Sequence, residues 1–391
     1  MIANTRADNG GVSGIRIGSS CSDDPADASR ELAAGLLPGD GGLSIVFASS
    51  RFAPDALAGS LRTAFGDTPL IGCTTAGEIG PGGYREGSLS GAHFAPGAID
   101  FEIGLLEDLV HSDARSMAVF AHELRSRLQA RLGGLDNERC FAFMLVDGLS
   151  SREESVARAF HDGLGGIPLT GGSAGDDLSF TDTRVIFGGR LVRNAAVLLV
   201  ATSKHPFSLF KTQHFSPTET RLVVTAAIPE KRIVTEINGC PAAPEYARAL
   251  GMDPAALSPH VFAAHPVVVR IGNADFVRSI QRVNPDGSLS FFCAIDRGIV
   301  FRMARGEDIL ANLDAALTDA ARQVGEVELI LGCDCILRLL ECRACNMADT
   351  VGARMAASRV IGFNTFGEQY RGMHINQTFT GIAFGKLSAA S

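Results

Sequence analysis

Four cysteines, Cys333, Cys335, Cys342 and Cys345, are spaced C-x-C-x6-C-x2-C, close enough in sequence to act together. If the stretch from 336 to 345 is helical, Cys335, Arg338, Cys342 and Cys345 share a face, because offsets of three and seven bring side chains into register. Thiolates gathered in this way hold Zn²⁺, or two of them form a reversible disulfide; the plain alternative is a set of buried thiols. A second group of candidates is acidic. Ile71-Gly72-Cys73-Thr74-Thr75-Ala76-Gly77-Glu78 has the pattern I-G-x-x-T-x-G-E, and Ile361-Gly362-Phe363-Asn364-Thr365-Phe366-Gly367-Glu368 repeats it. A looser copy, Pro168-Leu169-Thr170-Gly171-Gly172-Ser173-Ala174-Gly175-Asp176, lies between them. Glu78, Asp176 and Glu368 therefore close three related turns. The glycines supply positive φ or close backbone approach. An acid beyond a strand's carboxyl end stands where open α/β sheets take ligands, and it can equally cap neighbouring amides. With Asp177, these carboxylates could also pair for acid or base work if the fold brings their turns together.

The elements that position these turns recur as well. An apolar run followed by a helical run leads into each turn: 43–48 then 54–65, 141–146 then 151–164, and 327–331 then 336–358. A repeat of this kind decides architecture before local propensity does, and a helix is the usual crossover between parallel strands. The expectation is an α/β fold with repeated βαβ units. Antiparallel meanders join them, from strands at 88–94 and 100–106 and a β-rich stretch over 183–238. A helix is expected at 112–132, ending at Gly133-Gly134. Residues 1–14 read as a disordered leader, and Asn238-Gly239-Cys240-Pro241 reads as the boundary between domains at 15–238 and 239–391. In the second half, a helix at 243–250 precedes strands at 266–271, 288–292 and 298–303. A turn is expected at Asn284-Pro285-Asp286-Gly287, then a helix at 307–324 and a last strand at 379–384.

At 391 residues and 46% hydrophobic content, the chain can bury at least two cores. Its net charge of −8 is spread rather than blocked, which argues against nucleic acid and anionic membrane surfaces as partners. The first fourteen residues carry no apolar signal-peptide core, and no run spans a membrane, so a cytoplasmic protein with reduced thiols is expected. Phe occurs 23 times, Tyr three times and Trp never, so a pocket here would be greasy. Neither a P-loop nor H-E-x-x-H is present, and no enzyme is expected.

At Gly72 to Glu78, Gly171 to Asp177, Gly332-Cys333-Asp334-Cys335 and Gly362 to Glu368, the chain resembles the FIST family of bacterial signal-transduction sensors over nearly its whole length. The resemblance implies a FIST N-terminal domain followed by a FIST C-terminal domain. Four further segments resemble the nitric-oxide-sensing haem proteins within that family: Thr212-Gln213-His214-Phe215-Ser216-Pro217-Thr218, Phe291-Phe292-Cys293-Ala294-Ile295-Asp296-Arg297-Gly298, Phe366 to Tyr370, and His374 to Phe379. That closer resemblance implies b-type haem, nitric oxide as ligand and control of a separate histidine kinase. It points to His214 as axial ligand, flanked by Phe210 and Phe215 before a Pro turn between two strands. His374, just past the third turn, is the competitor, but its segment resembles FIST domains generally, which implies a backbone-satisfying or general ligand-binding role for it. His260 and His265, five apart, fit no helical register and read as structural. Two other readings stay open: a thiol or zinc switch at the four cysteines, and a small metabolite at the Glu78 and Glu368 turns. Self-association is left open too.

Overall fold

A computed structural model describes residues 14–387 apart from 38, 40, 272 and 273. The expected leader, Gly14 aside, lies outside the described residues.

The three repeats form as expected, and they form for a shared backbone reason. Leu43–Ser49 and Leu70–Thr75, Cys140–Val146 and Leu169–Ser173, and Val327–Cys335 and Val360–Thr365 are parallel pairs. Nearly every residue in them is buried, as sheets covered on both faces require. A Cβ at Gly72 would lie 1.9 Å from the Val46 carbonyl oxygen; at Gly171, 2.0 Å from that of Met144; at Gly362, 1.9 Å from that of Gly332. The signature glycine thus allows each parallel pair to close to this spacing.

Around each pair the same sheet is built. Sheet one runs Ile15–Ser20, Leu89–Phe94, Leu43–Ser49, Leu70–Thr75, then the hairpin Val185–Phe187 and Arg190–Val192. Sheet two runs Ile99–Glu107, Ala195–Ser203, Cys140–Val146, Leu169–Ser173, then Glu368–Tyr370 and Met373–Ile375. Sheet three runs Phe207–Thr212, Phe379–Gly385, Val327–Cys335, Val360–Thr365, then Glu78–Gly80 and Gly83–Arg85. The hairpin after each signature turn therefore leaves its own sheet and completes another, in a cycle. Sheets two and three take strands from both sides of residue 238.

The inner faces of the three sheets meet in one dry core, where Phe47 stacks on Phe363 at 4.7 Å and Phe141 meets Phe384 edge-on at 5.3 Å. Helices cover the outer faces. Pro54–Phe65 and Pro25–Leu36 lie on sheet one, Ala114–Leu132 and Glu153–Gly163 on sheet two, and Ile309–Val324 and Ala348–Ala357 on sheet three. Pro25 and Pro54 open their helices at positions where the missing amide costs nothing.

A fourth, eight-stranded sheet is inserted between strand Phe207–Thr212 and helix Ile309–Val324, and with Ala242–Leu250 and Pro259–Ala264 it has a core of its own. Several local expectations change here. Phe215–Ile228 is one 14-residue strand, and Pro217 lies within it beside a register shift, so it marks an irregularity and not a turn between strands. The Asn284 to Gly287 turn joins Ile280–Val283 to Leu289–Phe291, and Ala274–Arg278 is a further strand. In sheet three, the helix expected over 336–358 is two helices, Ile336–Ala344 and Ala348–Ala357. Between them Asn346 takes φ 57°, which no continuous helix accommodates. Among the described residues no helix is long and apolar enough to cross a membrane.

Candidate functional site

His214 is the last residue before strand Phe215–Ile228, and its imidazole is buried in an ionic network laid down by helix Ile336–Ala344. Arg338, fully buried, donates from Nε to Asp334 Oδ1 at 2.7 Å and from Nη1 to His214 Nδ1 at 2.9 Å. His214 Nε2 then donates to the Glu341 carboxylate at 2.9 Å, while Tyr84 donates to Asp334 Oδ2 at 2.6 Å. Burial pushes the imidazole below its ordinary pKa against the pull of Glu341, in keeping with a neutral ring that accepts at one nitrogen and donates at the other. Both nitrogens are engaged. Phe215 packs on the ring at 4.2 Å as expected, whereas Phe210 packs edge-on against Phe379.

The four cysteines part company. Cys333 sits in the core between the sheets, Cys335 and Cys342 lie in two different apolar clusters, and Cys345 is exposed at the helix end. Burial holds Cys333 and Cys335 as thiols and pushes Cys342 up to about 12. Among the described residues no three His, Cys, Asp or Glu side chains are grouped as a metal requires.

The turn acids are inward clasps. Glu78 accepts from Thr75 Oγ1, from Ser88 N at 2.9 Å and from Ser88 Oγ at 2.7 Å. Glu368 repeats this with Thr365 Oγ1, Thr378 N at 3.1 Å and Thr378 Oγ at 2.7 Å. The T-x-G-E spelling is thus a staple between a strand exit and the strand that follows ten residues on. Burial, partly offset by these bonds, raises Glu78 to about 7 and Glu368 to about 8. Asp176 accepts from the amides of Phe180, Thr181 and Asp182 and holds its own loop.

Beyond these turns two cavities open at strand carboxyl ends. One, of about 370 Å³, is lined by Arg51, Arg343, Glu86, Asp177, Ala76 and Ile336. The other, of about 470 Å³, lies between the loop after Cys140–Val146 and the inserted sheet. Phe180, Phe291, Phe292 and Phe366 line it, with Lys231, Arg232 and Arg282. Phe180 lies 4.8 Å from Phe366 and 5.9 Å from Phe292.

His374 stands behind this second cleft, its electrostatic neighbours being Glu154, Arg232 and the Phe292 backbone. Burial lowers its pKa to about 4, so the ring is neutral. Nδ1 accepts from Gln369 Nε2 at 3.0 Å, which leaves the ring proton on Nε2; the Phe292 backbone is its hydrogen-bonding neighbour, though not at good geometry. Gln369 Oε1 is unpartnered. Gln369 Nε2 also faces Ser173 Oγ at 2.8 Å and the Gly367 carbonyl at 3.3 Å, which fixes the amide this way round.

Compared with known proteins, residues 42–240 match the family model of the FIST N domain and residues 242–371 that of the FIST C domain. The chain belongs to the FIST family. FIST domains are sensory, with a small-ligand sensing role in signal transduction. No curated protein matches. Among solved structures, the chain is similar to a cyanuric acid hydrolase from A. caulinodans at 11% identity and TM-score 0.37, covering 95% of this chain and 99% of that one. It is similar to a chorismatase at 12% identity and TM-score 0.33, with the same coverage. Likeness at that level carries no argument about activity.

Two features of this FIST chain were not singled out from sequence. The Asp334, Arg338, Glu341 and His214 network had one signal, an acid, a base and an acid at i, i+4 and i+7 across the end of strand Val327–Cys335 and the helix after it, but nothing local placed His214 on it. The ion cluster of Arg232 with Glu153 and Glu154 joins residues too far apart to be seen. Residues 171–175 also spell G-x-S-x-G, yet Ser173 is fully buried and its side chain accepts from Gln369.

Proposed function

We propose that this chain is a haem-binding nitric oxide sensor that acts on a separate histidine kinase, with His374 rather than His214 as the imidazole ligand. The observation that carries this reading is a cleft lined by Phe180, Phe291, Phe292 and Phe366 and rimmed by Lys231, Arg232 and Arg282, with the buried, neutral His374 imidazole beside Phe292. A haem ligand must be a neutral imidazole; Gln369 Nε2 holds the His374 ring at Nδ1, and iron at Nε2 would displace its proton and the Phe292 backbone. Lys231 and Arg282 suit the carboxylates of such a ligand. When bound, haem would supply the iron centre at which the diatomic gas is taken up. His214, engaged at both nitrogens, offers no lone pair without dismantling the Arg338 network. The resemblance of the Phe291 to Gly298 segment to the haem-binding members of the family supports the same end of the molecule. The test is a haem titration of the purified chain followed by absorption, then nitric oxide. A saturable Soret band that shifts with the gas, together with altered autophosphorylation of a partner kinase, is expected. Absence of saturable binding would reject the reading.

The smaller cavity supports a second reading, a small polar metabolite as ligand. Its two arginines and two carboxylates lie at the strand ends where α/β sheets take ligands. A rise in melting temperature with a metabolite, lost in Arg343→Ala, would favour it.

A further inference from the structure

We infer that the inserted β-sheet module is a hinged lid on the phenylalanine-lined cleft, pinned at its neck through His214 and latched shut by Arg232. The inference rests on that cleft being the ligand site and adds how access to it is regulated, whichever small ligand it takes.

The chain enters and leaves the module side by side. Phe215 pairs with Gly306, and the Glu307 amide donates to the His214 carbonyl at 2.8 Å, so the module hangs on a two-strand neck. At this neck the His214 ring is plugged into Asp334, Arg338 and Glu341 of the body, which fixes one end. Its far side meets the body differently. The module contributes two buried apolar side chains, Ala263 and Phe292, to the cluster it shares with the body, while its own core is separate. Helix Pro259–Ala264 lies against helix Ile336–Ala344 there, and Gln377 of the body donates to Ala263 O at 2.8 Å; a contact shared this way between bodies with separate cores allows relative motion. What closes it is charge. Arg232 donates to Phe292 O at 2.9 Å within the module, to Glu153 Oε2 at 2.6 Å, and also to Glu154, both on the body helix Glu153–Gly163. Glu154 in turn accepts from the Ala294 amide at 2.6 Å. Arg232 takes φ 55° where it closes the helical turn Pro229–Lys231, its amide donating to Pro229 O at 3.0 Å.

The cleft lies at the latch, lined by Glu153 and Arg232 themselves, and has walls on both bodies: Gly148, Leu149 and Phe366 on one, Ile233, Gln281 and Phe291 on the other. Opening the latch would widen it, and a ligand touching both walls would favour the closed form over the open one. Phe292 is a partner of Arg232 and a neighbour of His374, so occupancy of the cleft and position of the module bear on each other.

Hydrogen exchange on the full chain without any ligand tests this separately from haem binding. Arg232→Gln is expected to raise exchange roughly tenfold or more at 148–154, 230–233 and 289–294, a partner having been removed from a buried ion cluster. Strands 140–146, 327–335, 222–226 and 300–304 should stay unchanged. Glu154→Gln, at a less buried carboxylate, should act on the same segments more weakly and decides the matter if Arg232→Gln does not fold. Lys231→Ala, on the cleft but outside the latch, should leave exchange as it is. Unchanged exchange in both latch variants, an equal rise throughout the module core, or an equal rise in Lys231→Ala would overturn the lid.

Discussion

Two buried histidines of this chain differ in how their nitrogens are engaged. His214 lies between Arg338 and Glu341, and its chemistry is spent on holding the neck. His374 is held at Nδ1 by Gln369, and its Nε2 has only the Phe292 backbone beside it, without good geometry. Sequence put His214 ahead of His374 but could not see what engages either ring, since Arg338 and Glu341 lie more than a hundred residues from His214. The turn acids show the reverse case: T-x-G-E reads as a staple once the Thr378 amide is known to face it. Glu368 carries a testable cost. Its carboxyl is raised to about 8 when folded, so the folded state binds that proton more tightly than the unfolded chain. Stability is then greatest below the ordinary carboxylate range and falls as pH rises towards about 8, by up to roughly 4 kcal/mol for this group. Glu368→Gln is expected to flatten the decline of the urea midpoint between pH 5 and pH 8. Parallel declines in the two proteins would contradict this.

At the level of elements, the three strand-helix-strand units were legible because their glycines are forced by contact. Gly362→Ala would drive a Cβ into the Gly332 carbonyl, and a loss of more than about 3 kcal/mol, or failure to fold, is expected. Gly59→Ala, inside helix Pro54–Phe65 with no neighbour within 4 Å, should instead stabilise by about 0.5–1 kcal/mol. Chemical denaturation of the pair checks both signs, and a tolerated Gly362→Ala would undo the account of the motif. The helix break at Asn346 and the strand through Pro217 were not legible. In each, tertiary contacts override a local pattern that reads as one helix or as a turn. The inserted module was read only in part, because its short strands flank a clear turn whose partners had to be guessed.

For the whole molecule, the repeat was visible in the sequence, but the cyclic exchange of hairpins was not, since no local signal says which sheet a hairpin joins. Residues 15–238 alone lack the Glu368–Ile375 hairpin that completes sheet two. They also leave Glu78–Arg85 and Phe207–Thr212 without the sheet they pair with. Such edges invite association. This fragment is expected to aggregate or to lose cooperative unfolding, and mixing it with 239–391 should restore both; sharp two-state unfolding of the fragment alone would contradict the interlocking. The central claim, that the chain senses through a haem held by His374 behind the Phe180, Phe292 and Phe366 cleft, is tested most directly by absorption spectra of haem-titrated His374→Ala and His214→Ala beside the parent protein. The account predicts that His374→Ala loses or strongly shifts the Soret band while His214→Ala keeps it. Loss in His214→Ala with an unchanged spectrum in His374→Ala would contradict it.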